Sequence, residues 1–197
     1  MLEIEFPERL FISGTDTEIG KTLVSSLLMC GLDATYWKPV QAGLEEETDT
    51  QRVARLSEKH DECFIPEGYR LNTPMSPHGA ADIDGLSITL NDFELPDYKT
   101  KHLIIEGAGG LIVPLNWKDM VIDLIKKFNI PVLLVARSAL GTLNHTLLSV
   151  EALRKRDIEI FGIVMSGPKH ESNRETLAHF TGLPVFELFP MDEITNK

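Results

Sequence analysis

The stretch Leu10-Phe-Ile-Ser-Gly-Thr-Asp-Thr-Glu-Ile-Gly-Lys-Thr-Leu23 constrains this chain more than any other. It opens on a short apolar run, Leu10 to Ile12, crosses a polar loop containing Gly14 and Gly20, and closes on Lys21-Thr22. Leu23, Val24, Leu27 and Leu28 follow at helical spacing. A strand, a small-residue loop and a helix starting at Gly-Lys-Thr form a cradle for phosphate. Backbone N–H groups and the helix N-terminus face the anion, Lys21 reaches its outer oxygens, and Thr22 is placed to ligate Mg²⁺. The common spacing is Gly-x4-Gly-Lys-Ser/Thr. Here Gly14 falls one residue early, and Thr15 stands at the usual glycine position. A bare helix start is the plain alternative; the strand on one side and the amphipathic segment on the other favour the cradle.

Short apolar runs alternate with amphipathic segments along most of the chain. Strands are expected at Leu10–Ser13, Ala34–Lys38, Lys101–Glu106, Pro131–Ala136, Glu159–Met165 and Pro184–Leu188. Helices are expected at Gly20–Cys30, Thr48–Lys59, Asp119–Phe128, Gly141–Arg156 and Ser172–Thr181, the last stopped by Gly182. The Pro-, Gly- and Asp-rich stretch from Asp61 to Asp97 reads as loops with short helices. Alternation of this kind predicts an α/β fold: a three-layer, doubly wound, mostly parallel sheet with helices on both faces. No repeat or linker interrupts it, so residues 1–197 are expected to form one domain.

Charge narrows the partners. With 30 Asp and Glu against 19 Lys and Arg, the net charge of -11 argues against nucleic acid. Lys126-Lys127 and Arg154-Lys155-Arg156 read as solvated helix ends. Cys30 and Cys63 lack metal-ligand spacing and read as free thiols. The N-terminal stretch carries Glu3, Glu5 and Glu8 rather than a basic region before an apolar core, so no secretory signal is expected. No apolar run approaches the roughly 18 residues that span a bilayer. A soluble, cytoplasmic protein without membrane partners is expected.

Ligands of open parallel sheets bind beyond the carboxyl ends of the strands. Three strand ends carry reactive groups here: Lys21-Thr22, Lys38 and Glu106. A carboxylate ending the buried run Leu103-Ile-Ile-Glu106 is costly unless paired or metal-bound. Opposite a phosphate cradle, its expected work is on Mg²⁺; a capping or ion-paired role is the alternative. Gly107 to Gly110 would admit close backbone approach to phosphate or substrate. Lys38, fixed by Pro39, reads as a second cation beside a transferred phosphoryl group, or as a salt-bridged edge residue. Asp49 is either a helix cap with Thr48 or part of the Mg²⁺ site. Gly141-Thr-Leu-Asn-His145 opens a helix and forms a candidate second anion site. His145 itself reads as structural.

Together these motifs resemble the dethiobiotin synthetases, a family with the P-loop NTPase fold. The resemblance rests on Gly14-Thr-Asp-Thr-Glu-Ile-Gly-Lys-Thr22, Lys38-Pro-Val-Gln-Ala-Gly43, Thr48-Asp49, Ser76-Pro-His78, Glu106-Gly-Ala-Gly-Gly110 and Leu140-Gly-Thr-Leu-Asn-His145, in the family's order from residue 10 to about 165. It implies a ligase of biotin biosynthesis. That enzyme uses ATP and Mg²⁺ to join CO₂ to 7,8-diaminononanoate and close a ureido ring, through a carbamate and a carbamic–phosphoric anhydride. Lys38, Lys21 and Thr17 would act in catalysis. Thr17, Glu18, Ile19, Gly20, Lys21, Thr22 and Leu23 would hold the nucleotide, with Asp49, Glu106, Gly107, Ala108, Gly109, Ser166 and Gly167. Lys38, Ala42, Pro77, Gly109 and Gly141, Thr142, Leu143 and Asn144 would hold the diamine, and Thr22, Asp49 and Glu106 the metal. The family is homodimeric, which implies that Gly141 to Asn144 serve the partner's site.

Two departures stand out. Ala42 replaces the Ser or Thr that many relatives carry, and Ser166-Gly167 replaces their adenine-holding Asn. With the chain ending soon after its last strand, these imply a loose nucleotide preference. Two other readings compete. A cobyrinate-type amidase would need a nucleophilic cysteine in a glutaminase portion, and Cys30 lies in a helix. A partitioning-type ATPase working through a partner would carry an extra lysine early in the loop, where this chain has Thr15 and Asp16.

Overall fold

The computed structural model describes residues 5–190; Glu3 of the acidic N-terminal stretch and the segment 191–197 lie outside them. In chain order the elements are β1 (Arg9–Gly14), α1 (Lys21–Gly31), β2 (Ala34–Trp37), β3 (Val40–Ala42), α2 (Asp49–Ser57), β4 (Phe64–Ile65), β5 (Tyr69–Leu71) and α3 (Pro77–Asp84). There follow β6 (His102–Gly110), α4 (Val121–Phe128), β7 (Val132–Arg137), α5 (Thr142–Arg154), β8 (Ile160–Ser166), α6 (Glu171–Thr181) and β9 (Val185–Leu188). The main sheet runs β4-β2-β6-β1-β7-β8-β9, and each of its pairings is parallel. Among the described residues, no helix is long and apolar enough to cross a membrane.

Period-2 alternation sorts the strand side chains into two cores. Leu10, Ile12, Tyr36, Ile104, Leu133 and Val135 pack against Val24 and Met29 of α1 and Val53 of α2. Phe11, Trp37, Leu103, Ile105, Leu134 and Met165 pack on the other face against α4, α5 and α6, through residues such as Ile122, Leu153 and Leu177. Strands buried on both faces read as continuous apolar runs, as β7 does from Val132 to Ala136. The three-residue strands β3 and β5 form a separate parallel pair, and β4 is a two-residue edge strand. All three escape a periodicity reading because they are too short to show a period. Of these, β4 and β5 lie in the stretch expected to hold only loops and short helices.

One boundary changes the reading of the site. The strand expected to end at Glu106 continues to Gly110, so Glu106 lies in mid-strand. Ile12 pairs with Glu106 and Gly14 with Gly110, which leaves three residues of β6 opposite one of β1. Such a bulge bends the strand and re-aims its side chains. Gly109 takes φ 65° within it. Gly107 packs closely on its neighbour strand: a Cβ there would stand 2.7 Å from the ring of Phe11.

Candidate active site

The site forms where the loop after β1, the end of β2, the first turn of α2 and the middle of β6 meet. The loop folds back on itself. Lys21 reaches over it, and Nζ donates to the carbonyl oxygen of Asp16 at 3.0 Å. A Cβ on Gly14 would meet that carbonyl at 2.7 Å and Lys21 Nζ at 3.1 Å, so the glycine one residue early is the one the loop requires. Ile19 is buried beneath the loop, and Gly20 turns the chain into α1 at φ 100°. Thr17 N–H donates to Asp16 Oδ1 at 2.8 Å, while Asp16 Oδ2 pairs with Arg137 at 2.7 Å. Leu23 is half-buried in the first turn of α1.

Glu106 is 1% exposed and is the hub of the cluster. Its Oε1 accepts from Thr22 Oγ1 at 3.0 Å and Lys38 Nζ at 3.2 Å. Its Oε2 accepts from Ser25 Oγ at 2.7 Å and Tyr36 OH at 3.1 Å. Asp49 completes the ring: Oδ1 accepts from Thr22 Oγ1 at 2.7 Å, and Oδ2 faces Lys38 Nζ at 2.8 Å. Thr48 is the cap of α2, accepting from Gln51 N–H while the Gln51 side chain accepts from Thr48 N–H. Asp49 is thereby freed to face the site. Gln41 secures that turn, because its Oε1 accepts the Asp49 N–H at 3.2 Å.

Charge is balanced against burial. Burial disfavours the Lys38 ammonium, yet Glu106 and Asp49 outweigh it and hold its pKa above the ordinary lysine value. Burial likewise opposes ionisation of Asp49, but Lys38 and the Thr22 hydrogen bond keep its carboxyl below the ordinary aspartate value. Lys21 is different: burial, then the like charge of Lys38, lowers its pKa. Burial and the neighbouring Glu106 push the Tyr36 phenol well above its usual value, so it remains a donor.

Other expected residues lie around this cluster. Pro77 is the buried first residue of α3, and Ala42 ends β3 half-buried. Ala108 and Gly109 form the β6 bulge beside the loop, with Thr17 Cγ2 3.7 Å from where a Gly109 Cβ would be. Ser166 faces the phosphate loop: its Oγ would lie 2.7 Å from a Cβ on Gly20. Gly167, at φ 133°, packs on Ser138. Gly141 caps α5 at φ 94°, and Thr142 is buried against Thr146. Among the described residues, Gly141, Thr142, Leu143 and Asn144 share no hydrogen bond with the lysine–carboxylate cluster. His145 is exposed and lines a groove of about 280 Å³ with Thr15, Asp16, Thr17 and Ile112. Cys30 and Cys63 are free thiols.

Sequence alone gives Tyr36, Ser25 and Gln41 no role in the site. Tyr36 lies in an apolar strand and reads as core. Ser25 offered one signal, since it stands three residues after Thr22 and therefore on the same helical face.

A family model described as an AAA domain matches residues 8–197. An ATP-dependent dethiobiotin synthetase BioD of Brucella ovis is 52% identical over 171 residues, covering 87% of this chain and 80% of that protein. The protein of the same name from Afipia carboxidovorans is 49% identical over 190 residues, covering 96% and 90%. Solved structures share the fold at low identity. A ParA family ATPase from Chlorobium tepidum TLS superposes with TM-score 0.50 at 10% identity over 94% of this chain and 84% of that one. A plasmid partition protein from Borrelia burgdorferi superposes with TM-score 0.54 at 12% identity over 98% and 93%. The partition proteins carry the architecture only, whereas identity near one half along most of both chains carries descent: this chain belongs to the ATP-dependent dethiobiotin synthetase family.

Proposed function

We infer that this protein catalyses its family's reaction, the ATP-dependent joining of CO₂ to 7,8-diaminononanoate to give dethiobiotin, ADP and inorganic phosphate. One observation from the structure supports it above others. Lys21, Thr22, Lys38, Asp49 and Glu106 come from four elements separated in sequence and meet at one end of the sheet. Phosphoryl transfer asks a protein for positioning and charge stabilisation more than for covalent chemistry, and this cluster offers both.

One substrate amine adds to CO₂ and loses a proton to become a carbamate. A carbamate oxygen attacks the γ-phosphorus of ATP, and ADP leaves. The second amine then attacks the carbamate carbon, phosphate departs, and the ring closes. Lys38, paired with Asp49 in the ligand-free protein, would turn toward the carbamate and the γ-phosphoryl oxygens. Lys21, Thr17 and the loop amides from Thr17 to Thr22 cradle the phosphates.

Two carboxylates and a hydroxyl suit Mg²⁺, a hard ion that keeps several waters and takes few protein oxygens. Thr22, Asp49 and Glu106 would hold it; no denser set of metal-ligating side chains occurs among the described residues. When bound, Mg²⁺ supplies charge neutralisation at the β- and γ-phosphoryl oxygens. Pro77, Ala42 and the Gly109 backbone border the diamine, and Ser166-Gly167 the nucleotide base. In a homodimer, Gly141 to Asn144 at the start of α5 would hold the substrate carboxylate of the partner's site. A single cytoplasmic domain that binds neither nucleic acid nor membrane completes the reading.

Phosphate release measured with and without the diamine and bicarbonate tests it. Release that requires both is expected. Release that ignores the diamine and rises with DNA or lipid would replace the ligase with a partitioning-type ATPase.

A further inference from the structure

We propose that the hydroxyls of Tyr36 and Ser25 are positioning groups that occupy Oε2 of Glu106, so that Oε1 alone is presented to Thr22, Lys38 and a bound cation. The inference rests on the reading of Glu106 as a cation-holding residue.

The partition of donors at Glu106 carries it. An ionised carboxylate has about four acceptor sites, and here they divide by origin. Oε2 receives Ser25 at 2.7 Å and Tyr36 at 3.1 Å, two neutral hydroxyls from groups that are 0% exposed. Oε1 receives Thr22 and Lys38, which both also contact Asp49. One oxygen therefore belongs to the scaffold and the other to the reactive cluster.

The terminal torsion of a glutamate is broad and two-fold, so an unrestrained carboxylate rotates or offers both oxygens to a cation. Ser25 approaches from α1 and Tyr36 from β2. Two donors from different elements hold the carboxylate plane where one would leave it free to swing. Neither hydroxyl can turn to water without leaving Oε2 with a buried unmet acceptor site, which costs free energy. The Tyr36 ring is also fixed, tilted against Phe64 at 6.1 Å between centroids.

The test is Mn²⁺ binding in the presence of ADP, followed by loss of the free-ion paramagnetic resonance signal, for Tyr36→Phe, Ser25→Ala and the double variant. Glu106→Gln is the reference. Partners that orient a metal's ligands commonly change affinity 10- to 100-fold. Half-saturating Mn²⁺ is therefore expected to rise about tenfold in each single variant and further in the double. Thermal unfolding of each variant without metal is measured alongside, because a packing role alone would lower the melt and leave the Mn²⁺ titration in place. The two substitutions lie on different elements, so one folded variant suffices. Unchanged Mn²⁺ affinity in the hydroxyl variants, with Glu106→Gln weakened, would overturn the proposal and leave the reading of Glu106 standing. Unchanged affinity in Glu106→Gln would overturn that reading, and the proposal with it.

Discussion

Lys38 Nζ lies 2.8 Å from Asp49 Oδ2, and the contact joins the end of β2 to the first turn of α2 across the acidic loop between them. With Glu106 at 3.2 Å on its other side, one ammonium neutralises two carboxylates that would otherwise repel each other. The same ammonium is the group proposed to stabilise charge during phosphoryl transfer.

Replacing Lys38 by Ala should lower kcat by about 10²-fold or more, since preorganised charge is lost at the transition state. It should also destabilise the ligand-free protein by about 3 kcal/mol, the scale for stranding buried carboxylates without their partner. Steady-state phosphate release and urea unfolding report the two effects separately. Near-normal turnover would remove Lys38 from the mechanism.

Lys21→Met is expected to act in opposite directions on activity and stability. Nucleotide-dependent turnover should fall to background. The ligand-free fold should gain stability, because burial and Lys38 both disfavour the Lys21 charge. Its folded pKa lies below the unfolded value, so between the two the unfolded chain holds more protons and stability rises with pH. Below the folded value the wild type bears the full penalty, and methionine removes it. A lower urea midpoint for Lys21→Met at pH 7.5 would contradict this.

The acid limb of stability should depend on Asp49. Its folded pKa is depressed, so its contribution is complete above the unfolded aspartate value of about 3.9 and is lost as pH falls through the folded value. Lys38, with a raised pKa, contributes fully below the ordinary lysine value and loses its contribution as pH rises through the folded one. Unfolding midpoints measured from pH 6 to pH 2.5 should fall less steeply in Asp49→Asn than in wild type. Parallel curves would show that the pair does not govern acid unfolding.

Nucleotide preference is expected to be loose, with CTP and GTP supporting diamine-dependent phosphate release within about tenfold of ATP, roughly 1.4 kcal/mol of discrimination. Ser166 is turned toward Gly20 and Gly167 packs on Ser138, so neither presents the paired donor and acceptor of an amide side chain to a base. Turnover with CTP and GTP far below that with ATP would refute this.

By itself the sequence determined the phosphate loop, six of the seven strands of the main sheet and five of the six α-helices among the described residues, because these depend on local spacing: apolar runs, helical periodicity and turn residues close in the chain. The same locality revealed Lys21, Thr22, Lys38, Asp49 and Glu106 as chemically costly or unusual groups at element ends. Only the tertiary structure decided how they meet. The β6 bulge carries the strand past Glu106 and sets that residue in mid-strand. The Thr48 cap releases Asp49 from the alternative that spacing left open. Tyr36 and Ser25 converge on one carboxylate oxygen from 70 and 81 residues away. Contacts at such separation leave no period in the chain, since they are selected by packing and by the need to satisfy a buried charge.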